Sequence, residues 1–174
     1  MPTAVLRPDS TTSQTGFSTA NIHTVIGDNN TATSAEQNDT SCQFTGTLDD
    51  LDSSLSAATI NSIKVVLVGV AGRAGQSQVQ VTLLDGDSGT ISMTALNFTG
   101  VAAIKETDAV TTTADGDALT PSYINNLSLI LEPNQFGITI QEAFASVDYD
   151  LATSAGDIIK LQGRIKINEG RISI

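Results

Sequence analysis

Tryptophan is absent from this chain, and aromatic residues of all kinds make up 4% of it. Proteins that hold sugars or bases by stacking rely on exposed rings, so that mode has little to work with here. Cysteine occurs once, at Cys42, which rules out an intrachain disulfide. Histidine also occurs once, at His23. A thiol nucleophile needs a positioned base, and nothing in the sequence orders His23 against Cys42. Cys42 therefore reads as a small buried residue. A metal at His23 would need carboxylates from distant loops, so His23 reads as an ordinary surface or packing residue. Basic residues number 8 against 19 acidic ones, a net charge of −11. Such a surface repels phosphate and argues against a nucleic-acid partner. No apolar run approaches the roughly 18 residues of a membrane span. The longest, from Val65 to Ala71, has the length of a buried strand. No glycine-rich loop leads from a strand into a helix to cradle a phosphate. No pair of carboxylates stands out for glycoside hydrolysis. The expectation is a protein that is not an enzyme and carries no cofactor.

What the chain does have is β pattern. A length of 174 residues suits one domain, or one domain with an appendage. Residues up to about Leu48 are polar and broken, with turn signals at Asp28-Asn29-Asn30 and Asn38-Asp39, and predict short strands in long loops. Ile63 to Val70 is β-branched and stops at the turn signal Gly72-Arg73-Ala74-Gly75. Val79-Gln80-Val81-Thr82-Leu83 alternates as a strand with one buried face. Ile91 to Leu96 follows as a partner, and these three segments predict an antiparallel meander. Residues 101–119 read as a long connection. Thr120-Pro121 can open a helical turn, with Thr120 as N-cap and Pro121 where its missing N–H does no harm. Leu127 to Leu131 is the next strand. Ile138 to Ile140 and Ala143 to Leu151 make another, with a bulge near Gln141-Glu142.

Short strands with turns between them and almost no 3.6-residue periodicity predict an all-β fold. The expected architecture is an antiparallel two-sheet, jelly-roll-like β-sandwich over residues 1–151. Val65, Leu67, Val79, Val81, Leu83, Leu129, Leu131 and Val147 are its expected core. The segment 158–174 differs. It alternates isoleucine with basic residues and holds roughly half of all the basic residues. It reads as a C-terminal β arm, and Ile159, Leu161, Arg164, Ile165, Lys166, Ile167, Arg171, Ile172 and Ile174 are its candidate assembly residues. Its apolar and basic faces suit contacts outside its own core. The alternative is a last hairpin of the same sandwich.

Few other residues suggest a site. Asp85-Gly86-Asp87-Ser88-Gly89 resembles part of a calcium loop, which makes Asp85 and Asp87 weak metal candidates. It lacks the distal glutamate, and an Asp-Gly hairpin turn accounts for the same residues. Asp115-Gly116-Asp117 and Asp49-Asp50-Leu51-Asp52 read as solvated loops. Asn-X-Ser/Thr triplets at Asn29, Asn38, Asn97 and Asn126 are what an Asn- and Thr-rich chain yields by chance. Tyr123, Tyr149 and Phe98 could supply a small aromatic patch for a sugar.

Four motifs resemble a family of tailed-phage virion β-sandwich proteins. They are Leu6-Arg7-Pro8-Asp9, Gly16-Phe17-Ser18-Thr19, Val25-Ile26-Gly27-Asp28-Asn29-Asn30 and Ala145-Ser146-Val147-Asp148-Tyr149. The resemblance covers most of residues 1–151 and stops before Ile158. The chain departs from the family pattern where tryptophan is expected: Phe17 stands at one such place, and none lies near Thr120-Pro121. The resemblance implies a structural protein of a virus particle, such as a capsid decoration protein, that meets its own copies and other virion proteins. A homo-oligomer, with a trimer foremost, is expected through β edges and arms. The start of the sequence agrees with that expectation. Met1 to Pro8 has no basic n-region, no apolar stretch of roughly 7–15 residues and no small-residue cleavage site, which suits assembly in a host cytoplasm. The competing expectation is a carbohydrate- or receptor-binding sandwich of a fibre or surface adhesin.

Overall fold

The computed structural model describes residues 2–39, 41–72, 77–86, 89–134 and 137–152, together with the backbone of 166–168 and 171–173. The strands are β1 (Thr3–Leu6), β2 (Ser13–Thr15), β3 (Ala35–Glu36), β4 (Gln43–Thr47), β5 (Thr59–Ala71), β6 (Ser77–Leu84), β7 (Thr90–Ser92), β8 (Leu96–Phe98), β9 (Ala103–Glu106), β10 (Ser128–Pro133), β11 (Ile138–Asp150), β12 (Lys166–Asn168) and β13 (Arg171–Ser173). Among the described residues the α-helices are two single turns, α1 (His23–Ile26) and α2 (Pro121–Ile124). No described helix is long and apolar enough to cross a membrane.

The strands form two antiparallel sheets. The first runs β1-β11-β5-β9, with β3 also on β11; the second runs β2-β4-β10-β6-β7, with β8 also on β6. The fold is thus the two-sheet antiparallel sandwich expected from the pattern. Alternation sets which residues face inward. In β6 every second residue is buried, and Val79, Val81 and Leu83 have no exposure. The register places Val81 opposite Leu131 and Leu131 opposite Phe44, so three fully buried side chains lie in one row of the second sheet. In the first sheet Val65 and Leu67 of β5 sit opposite Ala145 and Ala143 of β11. All eight expected core residues are fully buried. Each Val or Leu so buried contributes about 1.5–3 kcal/mol from leaving water.

Two local expectations hold in detail. The β11 register shifts between Ile140 and Glu142, which is the bulge at Gln141. Thr120 caps α2: its hydroxyl accepts the Tyr123 N–H at 3.1 Å, and Pro121 opens the helix.

Three expectations need correction. The segments 63–70, 79–83 and 91–96 are not one meander. β5 belongs to the first sheet and β6 to the second, so residues 72–76 cross between sheets. Alternation reveals a buried face but not which sheet owns it. The segment 91–96 is also not one strand; β7 and β8 pair separately with β6. Finally, residues 101–119 contain β9, which pairs with β5 from Val66 to Gly69. β9 lies on an edge and stays largely exposed, so its sequence carries no buried face to read.

The C-terminal segment is a hairpin where it is described. Lys166 pairs with Ser173, Ile167 with Ile172 and Asn168 with Arg171. Among the described residues this two-stranded sheet joins neither sheet of the sandwich. Ile159, Leu161, Arg164, Ile165 and Ile174 lie outside the described residues.

Candidate functional site

Residues scattered through the sequence motifs meet at one end of β11. Arg7, just past β1, donates from Nη1 to Oε1 of Glu142 at 2.5 Å and from Nη2 to Oδ1 of Asn29 at 2.8 Å. Its guanidinium carbon lies 5.2 Å from the centre of the Phe144 ring. This charged, planar group thus has a carboxylate, an amide and an aromatic face as partners. The bulge places Glu142 and Phe144 on the outer face of β11, where Arg7 reaches both. Gln141, the extra residue, donates to the carbonyl of Thr31 at 2.9 Å and ties down the loop after α1. Gly27 lies so close to Pro8 that a Cβ there would meet the Pro8 carbonyl oxygen at 2.6 Å. Asn29 takes a positive φ of 57°, which asparagine tolerates well. The motifs at 6–9 and 25–30 are therefore parts of one clamp. The clamp is structural: a guanidinium already paired in this way is poorly placed to hold a ligand.

A shallow cleft of about 420 Å³ lies beside α2, lined by Asp85, Gly86, Thr120, Ser122, Tyr123 and Asn126. Desolvation raises the Tyr123 hydroxyl above the usual phenol range; the Ala114 backbone opposes the shift and the nearby Asp85 carboxylate reinforces it. Oδ1 of Asp85 accepts the Gly89 N–H at 2.6 Å, and the Asp85 N–H donates to the Gly89 carbonyl at 2.9 Å. The described geometry thus gives Asp85 the role of closing the turn between β6 and β7. Asp87, its partner in the weak calcium reading, lies outside the described residues. No three His, Cys, Asp or Glu side chains among the described residues converge as a metal set. Asp52 instead caps a 3-10 turn at Ser53–Leu55, and its bonds from Ser54 lower its pKa. Asp117 closes a turn with Thr113 across Gly116, whose φ is 90°.

The aromatic patch does not form. Phe98 is fully buried in the core, and Tyr123 and Tyr149 pack partly against it. β8 is short, and its two apolar ends, Leu96 and Phe98, both point inward. Among the described residues the exposed large apolar side chains are Val5, Val101, Ile104 and Leu151, none of them aromatic.

His23 Nδ1 lies 2.8 Å from the Thr11 hydroxyl, so His23 secures the start of α1. Cys42 is buried. Burial, then the Asp39 carboxylate, pushes its thiol from 9.0 up to about 12. The neutral thiol is the form that the fold favours. This contribution is therefore fully present below about pH 9 and is lost as pH rises toward 12. The native protein should leave Cys42 unmodified by iodoacetamide at pH 8, and unfolding in urea should make it react fully. Rapid labelling of the native state would contradict this placement.

A different feature is open to partners. The first sheet ends in two edges, β1 and β9. Val5 on β1 is exposed, and Val101 and Ile104 are 73% and 72% exposed. A groove of about 320 Å³ runs beside β9, lined by Thr31, Val68, Ala102, Ala103, Ile104 and Gln141. Sequence reading missed it, because the groove joins residues from four separate segments.

No family model and no curated protein matches the chain. Solved structures resemble it in shape. A chain described as truncated AlyQ with CBM32 and alginate lyase domains aligns with a TM-score of 0.52 at 11% identity. That alignment covers 87% of this chain and 34% of the other. The C-terminal CBM6 of LamC, a marine laminarinase from Zobellia galactanivorans, aligns at 0.48 and 8% identity over 84% of this chain and 98% of its own. A carbohydrate-binding module of Cellvibrio mixtus lichenase 5A, solved with cellotriose, aligns at 0.45 and 9% identity over 85% and 98%. At such identities the likeness concerns fold alone, and the AlyQ alignment shows that this chain shares a β-sandwich architecture with known proteins.

Proposed function

We propose that this chain is a non-enzymatic structural protein exposed on a phage particle, where it assembles through its sheet edges and C-terminal arm. The observation that carries the reading is the pair of open edges on the first sheet, with Val5, Val101 and Ile104 exposed on or beside them. Edges of this kind are ready templates for another chain. The clamp around Arg7 adds support, because it gives the family-like motifs a shared structural purpose. Mass spectrometry of purified particles from a phage encoding this chain tests it. The expected result is a fixed copy number per particle; absence from the particles would overturn the reading.

A second reading is a carbohydrate-binding module. It is favoured by the polar cleft beside α2 and by a fold that such modules also use. The lack of exposed aromatic side chains among the described residues weighs against it. Specific retention of one sugar class on a glycan array, lost on replacing Asn126 by Ala, would favour this second reading over the first.

A further inference from the structure

We infer that the groove beside β9 receives the C-terminal hairpin of a second copy of this chain, an inference that rests on the assembly reading above. The groove is the most apolar open site on the described surface. Val68 faces outward from β5, directly opposite Ile104 on β9. Ala102, Ala103 and Ile104 line one side, and Thr31 and Gln141 line the other. The outer hydrogen-bonding edge of β9 has no partner strand among the described residues. A strand added there would complete the sheet and cover Ile104 together.

The C-terminal segment has the matching chemistry. Residues 151–174 hold four of the eight basic residues and two of the nineteen acidic ones; residues 1–150 therefore hold four basic and seventeen acidic. The arm is thus drawn to the body of any copy. Glu106 and Asp108 flank the receiving edge; Lys105 lies there too, while Lys64 is paired with Glu106 at 2.6 Å. In the hairpin, Ile167 sits across from Ile172, with Lys166 and Arg171 at alternate positions.

Geometry favours a neighbour's arm over the chain's own. The chain leaves the first sheet at Asp150, on β11, and β9 lies two strands away beyond β5. Two strand spacings amount to about 10 Å. Asp150 is level with Thr59 of β5, whereas Ile104 is level with Val68, nine residues further on. At about 3.3 Å per residue this adds about 30 Å. Residues 151–165 must cover that distance before Lys166. Extended, they reach about 50 Å, but relaxed they span only about 21 Å. An arm docked on its own groove would be stretched, and an arm from an adjacent copy need not be. The edge nearest the chain exit is β1, not β9.

The chain's own lysines provide the test. Equal amounts of unlabelled and 15N-labelled full-length protein are mixed and treated with an amine-reactive cross-linker, and peptides are identified by mass spectrometry. The expected result is mixed-label cross-links from Lys105 to Lys160 or Lys166. I104R, at a position 72% exposed, should cut their yield at least tenfold, as should V101D, while both variants keep the parent melting temperature. Same-label Lys105 cross-links alone would show a self-docked arm and overturn the proposal. Arm cross-links confined to Lys64, or a yield unchanged in both variants, would also overturn it. These outcomes are read in solution, so they are independent of whether the protein is found on particles.

Discussion

Replacing Phe98 by Ala should lower the unfolding free energy by about 3–5 kcal/mol, the usual range for a fully buried phenylalanine. Phe98 has no exposure. Its ring lies over the first sheet, with Cε1 3.3 Å from where a Cβ on Gly69 would stand, although β8 itself belongs to the second sheet. The side chain therefore bridges the two layers. Truncation leaves a cavity that strands fixed by their hydrogen bonds cannot close. For a domain of this size each kcal/mol corresponds to about 2–4 °C, so the melting temperature should fall by about 6–20 °C. Thermal unfolding followed by circular dichroism measures it. A fall below 3 °C would mean that Phe98 is a surface residue after all. Phe98→Leu, which keeps most of the volume, should recover at least half of the loss.

Arg7→Met should cost about 2–4 kcal/mol. The substitution keeps an apolar stem but removes the guanidinium from Glu142, Asn29 and Phe144 together. The Glu142 side chain is only 11% exposed, so its carboxylate would be left largely out of water without its cation. Breaking a buried pair from one side costs about 3–5 kcal/mol. The Arg7 side chain is 23% exposed, which moderates the figure. The double variant Arg7→Met with Glu142→Gln should be more stable than Arg7→Met alone, because the stranded charge is gone. A double-mutant cycle in urea checks this. If the two single losses simply add, the clamp is not a coupled unit.

Several features were legible locally because their cause is local. The alternation in Val79 to Leu83 reports one buried face whatever covers it. Thr120 followed by Pro121 satisfies a helix start with atoms at most three residues apart. The bulge at Gln141 shows as a break in the alternation of one strand. The clamp was not legible in this way. Arg7 and Glu142 are 135 residues apart, and neither carries a sign of the other. Phe98 looked available to a ligand because a three-residue strand is too short for its alternation to stand out.

The sequence by itself determined an all-β sandwich, its eight central core residues, the acidic body and the basic isoleucine-rich arm. Each of these follows from composition or from a period of two along the chain. Tertiary structure alone decided that β5 and β6 lie in different sheets, that Arg7 is held by Asn29, Glu142 and Phe144, and that β9 is an open edge beside an apolar groove. The physical reason is that side-chain period specifies which face is buried, while the identity of the burying partner depends on long-range pairing that no local pattern encodes.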